Sequence, residues 1–509
     1  MDDGLNVDFS VLDRPRASST SGFYRMPAIV GRGMAATSHP LATRAALTML
    51  ERGGNAVDAA VSAAAVLAVA EPPESGLGGD GCAIVWMGHE LHGINGTGRS
   101  PAKLDGEPFT RQGPRSVTVP GLVAMWSDLA LRFGSLGLDT CLQPAIQAAE
   151  AGVAITPRIA SLWREAEREG RAPYRAPRVG DCWQVPALGS TLRRIAELGP
   201  QGFYLGSVAQ AIADTSWLSP EDLSGHHSEW VTPIRYAYRG IEVCELPPNT
   251  QGVAALAALG IAETFTESDP VRQLHLEIEA AKSALALAHR HVADGPLPDD
   301  FLSRENLAAI GRSLESSRTE RPGLLPPPRG DTSYLCCVDS DRNAVSLIQS
   351  LYEHFGSGLL AGDTGVVLQN RAFGFSSEND HPNSLGPAKR PYHTIIPGMI
   401  LAAGELGGPF GVMGGAVQAP AHMQVVRHLV DRHMDPQAAL DAGRFRVEVD
   451  RVLIEPGLSA FADPLRRMGH EVLVGTSPHP FGVGQIILVL GDALVGGSDG
   501  RGDGYVGGY

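Results

Sequence analysis

Residues 329–350 read RGDTSYLCCVDSDRNAVSLIQS. Two β-rich runs, SYLCCVD (333–339) and NAVSLIQS (343–350), flank the turn residues SDR (340–342), which is the pattern of a hairpin. The first run starts abruptly. Asp331-Thr332-Ser333 follows the proline cluster GLLPPP (323–328) after only Arg329-Gly330. The ordinary explanation is that Asp331 and Thr332 cap a strand, since Asp, Thr and Ser beside Gly are common turn residues. Cys336 and Cys337 are neighbours in this strand, so their side chains are expected on opposite faces of a sheet.

Working outward, the texture changes at this point. Upstream, LATRAALTMLER (41–52) has apolar residues at helical spacing and ends at Gly53-Gly54, a C-cap signal. AVDAAVSAAAVLAVA (56–70) is a helix of small apolar residues, expected to be buried on most sides. Helical patterns recur over 120–150, 152–170 and 273–293, with strands at CAIVWM (82–87) and RGIEVCEL (239–246) and a turn-rich PPNTQG loop (247–252). Residues 317–330 read as an exposed linker. Downstream, strands are expected at TGVVLQN (364–370), HTIIPGMILA (393–402), PFGVMGG (409–415) and GQIILVLG (484–491), with a helix near 419–432. Helices dominate before 331 and strands after it.

The chain has 509 residues, is 43% hydrophobic and 19% charged, and carries a net charge of −15. That balance suits a globular protein and disfavours binding to a phosphate backbone, so no nucleic-acid partner is expected. The six cysteines (82, 141, 182, 244, 336 and 337) form no C-x-x-C, and no Cys/His cluster has zinc spacing. They read as buried thiols in a reducing compartment. The N-terminus MDDGLNVDFSVLDRPRASSTSG lacks the basic and apolar regions of a secretory signal. The most apolar stretch, 56–70, contains Asp58 and is shorter than the roughly 20 residues of a membrane span. A cytoplasmic protein without membrane contact is expected. Gly76, Gly78 and Gly81 fit G-x-G-x-x-G, but the loop leaves a helix and enters a strand. A dinucleotide site needs the reverse order, so a nicotinamide or flavin is not expected.

Several long motifs occur in a fixed order. They are GRGMAATSHPLATRAALTMLERGGNAVDAAVSAAAVLAVAEPPESGLGGDG (31–81), VTVPG (117–121), ELPPNTQG (245–252), GDTSYLCCVDSDRNAVS (330–346), FGSGL (355–359), KRP (389–391) and GVMGG (411–415). Together they resemble the γ-glutamyltranspeptidase family over nearly the whole chain from about residue 33. The resemblance implies an α+β fold, the αββα four-layer sandwich of the N-terminal-nucleophile (Ntn) hydrolases. It implies self-cleavage between Asp331 and Thr332 into a large subunit (1–331) and a small one (332–509), which together form one composite domain. A dimer of these heterodimers is one assembly open to it. Thr332 would become both nucleophile and N-terminus. A hydroxyl is a weak nucleophile that needs a base. A free α-amine, with an ordinary pKa of about 7.7–8.0, can take its proton, whereas an internal peptide N–H cannot. The resemblance further implies that Gly414 and Gly415 supply the oxyanion donors and that Ser350 supports the nucleophile. No metal or organic cofactor is expected, because amine, hydroxyl and oxyanion donors suffice for amide cleavage.

The glutamyl-recognition residues depart from the family pattern. Thr97 stands where the family has the arginine that holds the substrate α-carboxylate, with Arg99 two residues on. Tyr352 replaces an asparagine. Arg371 and Gly374 replace the residues that bind the α-ammonium, and His393-Thr394 replaces a serine pair. An arginine and a glycine there disfavour an ammonium. The expected activity is therefore an amidohydrolase or acylase on a small carboxylate-bearing amide such as oxamate, through an acyl-enzyme ester. A γ-glutamyl transferase or hydrolase with a remodelled site is the alternative within the enzyme class. An unprocessed, non-catalytic scaffold is the alternative outside it.

Overall fold

The computed structural model describes residues 25–314, 332–477 and 479–509. The expectations for residues 1–22, for the 317–330 linker and for Asp331 fall outside or largely outside these. Two seven-stranded sheets form the centre. The first runs in the order Tyr505–Gly508, Met34–Thr37, Ser333–Val338, Ala344–Ser350, Asp80–Met87, Glu90–Gly96, Glu229–Val231. The second runs Ala28–Val30, Ala493–Ser498, Val483–Leu490, Glu405–Met413, Gly398–Ala402, Ile241–Glu245, Ile234–Tyr238. The sheets pack face to face through Cys336, Tyr334, Ile348, Cys82, Met399 and Ile487, among others. Helices cover both outer faces, giving the αββα sandwich.

The opening hairpin forms as read: Ser333 pairs with Gln349 and Val338 with Ala344. Cys336 faces the second sheet and Cys337 faces the outer helices. The turn is tied by Asp339, whose carboxylate accepts from Asp341 and Asn343 amides, both at 2.9 Å. The same carboxylate accepts from Ala56 N at 3.0 Å, at the first turn of helix Ala56–Ala70.

That helix is buried at every position. Its small side chains let it lie close against helices Pro40–Glu51 and Leu138–Ala151 and against strand Ser333–Val338. A capping box starts it: the Asn55 side chain accepts from Val57 N and Asp58 N, and Asp58 accepts from Asn55 N. Asp58 also accepts from Ser135 N at 2.9 Å and Leu136 N at 3.0 Å, so a buried charge is spent on loop amides.

Four readings need correction. TGVVLQN is not a strand; it makes only isolated bridges, Gly78 with Leu368 and Leu360 with Val367. Gly365 turns the chain at φ +73°, which breaks a pleated run. Of HTIIPGMILA only Gly398–Ala402 is a strand. The contrast of helices before 331 with strands after it is too simple, since each sheet draws strands from both sides of Thr332. Cys182 is exposed, in the two-residue strand Cys182–Trp183, whereas the other five thiols are buried. No helix among the described residues is long and apolar enough to cross a membrane.

Asp58→Ala should lower the urea-unfolding midpoint strongly. It removes the acceptor of three partly buried amides, those of Asn55, Ser135 and Leu136, at up to about 1 kcal/mol each because water can reach them in part. Asp58→Asn, which keeps an acceptor, should lose less. Equal losses for the two variants would refute the amide-capping role.

Candidate active site

The hairpin register positions the site. Ser333 is opposite Gln349, so Thr332 stands at the level of Ser350, and Ser350 is itself paired with Asp80 at the start of the next strand. Thr332 is buried at 1% exposure. Next in the chain, Ser333 Oγ donates to the buried carboxylate of Glu71, which also accepts from Ser38 Oγ at 2.8 Å. Gln418, the first residue of helix Gln418–Val430, reaches Thr332 Oγ1 at 3.5 Å with its Nε2 and accepts from Ile396 N at 3.1 Å with its Oε1.

Gly414 and Gly415 end the strand Glu405–Met413 with φ +134° and +66°. A side chain at Gly414 would strike Val417 Cγ1 at 2.8 Å and Gly482 Cα at 3.0 Å. The carbonyl of Gly415 accepts from Gln251 Nε2 at 3.1 Å, and the same nitrogen donates to Thr394 O at 2.7 Å. The PPNTQG loop thus ties the glycine turn to residues 393–394.

Ser350 Oγ accepts from Tyr352 N at 2.8 Å and holds Tyr352 at φ +79°. The Arg371 guanidinium lies 3.8 Å from the Tyr352 ring centroid and donates through Nη1 to Thr394 Oγ1 at 3.3 Å. Arg371 is 1% exposed, and its Nε and Nη2 meet no acceptor among the described residues. Burial lowers its pKa to about 10, which leaves it cationic at neutral pH. At Gly374 an added Cβ would lie 2.9 Å from Tyr392 O, so this turn admits no acidic side chain without a shift.

His393 and Thr97 hold structure nearby. His393 Nδ1 accepts from Ile395 N at 3.4 Å, so its Nε2 carries the proton and donates to Asp80 Oδ2 at 3.1 Å. Burial, with Arg371 and Arg390 close, keeps the ring well below the usual imidazole range and therefore neutral. Asp80 Oδ1 accepts from Gly98 N at 3.1 Å and Gly121 N at 3.2 Å. Burial pushes the Asp80 carboxyl up to about 7, against the pull of Arg371 and these amides. Thr97 Oγ1 donates to Asn95 Oδ1 at 2.6 Å, and Thr97 is wholly buried. Arg99 is spent elsewhere, in ion pairs with Asp294 (2.7 Å) and Glu229 (2.8 Å). Sequence reasoning singled out none of Asp80, Gln251, Gln418 and Glu353, although Asp80 and Gln251 lie inside the motifs that end GLGGDG and PPNTQG. Glu353 is buried and receives Arg111 Nη2 at 2.7 Å and Asn370 Nδ2 at 2.8 Å.

The fold also brings together metal-type side chains that sequence spacing did not suggest: His275, Glu279 and His470. Lys282 Nζ donates to Glu279 at 2.7 Å and lies 3.1 Å from His470 Nδ1, so its ammonium already supplies a cation to this cluster.

A family model described as Gamma-glutamyltranspeptidase matches residues 42–509. The chain belongs to the γ-glutamyltranspeptidase family. It is 32% identical to the glutathione hydrolase-like YwrD proenzyme of Bacillus subtilis, over 92% of this chain and 97% of that one. It is 31% identical to the oxamate amidohydrolase proenzyme of Klebsiella pneumoniae, over 94% and 98%. The cephalosporin acylase of Bacillus halodurans shares the fold at a TM-score of 0.90 and 38% identity, over 97% of this chain and 99% of that chain. This γ-glutamyltranspeptidase-family chain is therefore an enzyme of the Ntn hydrolase class, as its motifs imply.

The Asp80 carboxyl gives a pH test. Its folded pKa of about 7 exceeds the ordinary value of 3.8, so between these the folded protein holds a proton that the unfolded chain releases. Stability from this group is present at low pH and is lost as pH rises through about 7. The stability advantage over Asp80→Asn should shrink between about pH 4 and 7, measured by urea unfolding. A gap independent of pH would show that Asp80 stays ionised throughout.

Proposed function

We propose that the protein is a self-processing amidohydrolase that acts on a small amide bearing a carboxylate. In this reading the chain cuts between Asp331 and Thr332 into residues 1–331 and 332–509. The freed α-amine of Thr332 takes the proton from its own Oγ1, and Oγ1 attacks the amide carbonyl. The oxyanion is held by the amides of Gly414 and Gly415. Gln418 Nε2 keeps Oγ1 in place. Collapse breaks the C–N bond, the amine leaves with the proton, and an ester remains on Thr332. Water adds to the ester, the α-amine again relays the proton, and the carboxylic acid departs.

One observation carries the substrate class. The Nε and Nη2 hydrogens of Arg371 project from one edge of the guanidinium, and both lack acceptors in a buried setting. That edge matches the two oxygens of a carboxylate, which it can grip with parallel hydrogen bonds. Tyr352 beneath the guanidinium and Thr394 at its end fix the orientation. The same cation repels an ammonium, so a γ-glutamyl group with its free α-amine fits less well. The relatives named oxamate amidohydrolase and cephalosporin acylase support an acyl group of this kind.

A denaturing gel of the purified protein should show two bands, and Edman sequencing of the smaller should begin Thr-Ser-Tyr-Leu. Thr332→Ala should remain a single inactive chain, while Thr332→Ser should cut. An intact active chain would sink the nucleophile assignment.

Arg371→Ala should reduce kcat/KM for oxamate by about one to two orders of magnitude, from the loss of charge-assisted hydrogen bonds. Arg371→Lys should recover only part, because the fork is gone. A γ-glutamyl anilide that outperforms oxamate, or an Arg371→Ala variant unchanged on both, would overturn the carboxylate reading.

A further inference from the structure

The two edges of strand Ser333–Val338 end at different heights. Toward Ala344–Ser350 the pairing runs as far as Ser333, opposite Gln349. Toward Met34–Thr37 it stops at Leu335, opposite Thr37. Past Thr37 the chain leaves the sheet and enters helix Pro40–Glu51, with His39 as its N-cap. Among the described residues, Ser333 and Tyr334 therefore have no ladder partner on that edge, and Thr332 lies beyond them.

Glu71 fills the gap. Its Oε2 accepts from Ser38 Oγ at 2.8 Å and from Ser333 Oγ, so one carboxylate oxygen joins the two strands where their backbones have parted. Glu71 is 1% exposed. Burial raises its carboxyl above the usual range, against the pull of Arg158 and the two hydroxyls. A hydrocarbon contact would hold two strands without that desolvation, but it would not fix Ser333 at one height and in one rotamer.

The carboxylate is itself held. The Glu71 N–H donates to Leu67 O at 2.9 Å, at the end of helix Ala56–Ala70, and its carbonyl accepts from Ser75 N at 3.0 Å. Ser75 Oγ accepts from Gln349 Nε2 at 2.7 Å. Gln349 is the cross-strand partner of Ser333, so a ring of contacts closes through Glu71, Ser333, Gln349 and Ser75. Strand alternation sends the Ser333 side chain toward the helices and that of Thr332 to the opposite face, where Gln418 Nε2 lies 3.5 Å from Oγ1.

We propose that Glu71 is a positioning residue for Thr332: by joining Ser38 to Ser333 it fixes where Thr332 Oγ1 stands when it attacks. This role rests on the reading of Thr332 as the nucleophile. The first attack is on the chain itself. Oγ1 adds to the carbonyl carbon of Asp331, the Oγ1 proton passes to the Thr332 nitrogen, and the C–N bond breaks to leave an ester and a free amine. Water then cleaves the ester to the Asp331 carboxylic acid and the Thr332 hydroxyl. A displacement of about 1 Å can slow such a step about a hundredfold.

Self-cleavage needs no added substrate, so its rate is the readout, followed on denaturing gels after a pulse of cell-free synthesis of the full chain. Ser333→Ala should slow it about tenfold or more, and Glu71→Ala by a similar or larger factor. The double variant should be no slower than the slower single one, because both act through one contact. Glu71 Oε1 meets no donor among the described residues, so the carbonyl of a glutamine can take both hydroxyls. Glu71→Gln should therefore cut within about threefold of the parent rate. Asp58→Ala loosens the far end of the same helix, roughly 20 Å away along its axis, and should lower the urea midpoint while cutting near the parent rate. The role is overturned if Ser333→Ala cuts at the parent rate, if the two losses multiply in the double variant, if Glu71→Gln is as slow as Glu71→Ala, or if Asp58→Ala slows cutting as much as these do. In each of those cases a small chain beginning Thr-Ser-Tyr-Leu still upholds Thr332. A parent that never cuts overturns the Thr332 reading, and the role of Glu71 with it.

Discussion

Strand Ser333–Val338 is buried at every residue, and Thr332 must stand at its head. A strand in the middle of a sheet needs partners on both edges, and here Met34–Thr37 and Ala344–Ser350 provide them. The outer face needs close cover, which the alanine-rich helix Ala56–Ala70 gives. The inner face needs the second sheet, and Tyr334 meets it where Gly411 leaves room for the ring. From these three supports the rest follows: the loops at the strand ends converge on Thr332, and every polar group brought there has to be satisfied without bulk water.

That requirement explains the texture of the site. Buried polar groups stay satisfied by sharing. Gln251 joins the glycine turn to Thr394, Gln418 joins Thr332 to Ile396, and Asp80 gathers Gly98, Gly121 and His393. Arg371 Nε and Nη2 lack acceptors among the described residues, as do Glu71 Oε1 and Gln349 Oε1 beside the nucleophile strand lack donors. On the reading proposed above, the Arg371 edge is where a substrate carboxylate would bind.

The hairpin and the helix at 56–70 were legible because their signals are local: two β-rich runs across a short turn, and one long run of mostly small, apolar residues. Thr332, Gly414, Gly415 and Arg371 were legible only through a family resemblance, since each alone reads as a turn or a surface residue. Asp80 was hidden because its partners lie 18, 41 and 313 residues away, and no window of sequence contains them. Gln418 is 86 residues from Thr332 and looks like any polar helix start. The TGVVLQN segment misled because β-branched residues mark half-buried extended chain, not ladder pairing, and the glycine at 365 redirects it.

Both sheets interleave strands from the two sides of Thr332, with Met34–Thr37 held between Tyr505–Gly508 and Ser333–Val338. A scission before Thr332 would thus leave neither fragment with a complete copy of either central sheet. While the molecule stays folded the pieces cannot drift apart. Once melted, they face a second-order search for each other that the parent chain never faced, and recovery then depends on concentration. A protein cut in this way would regain its fold only as fast as its two pieces meet, so dilution alone would lower its apparent stability, as it never could for the uncut chain.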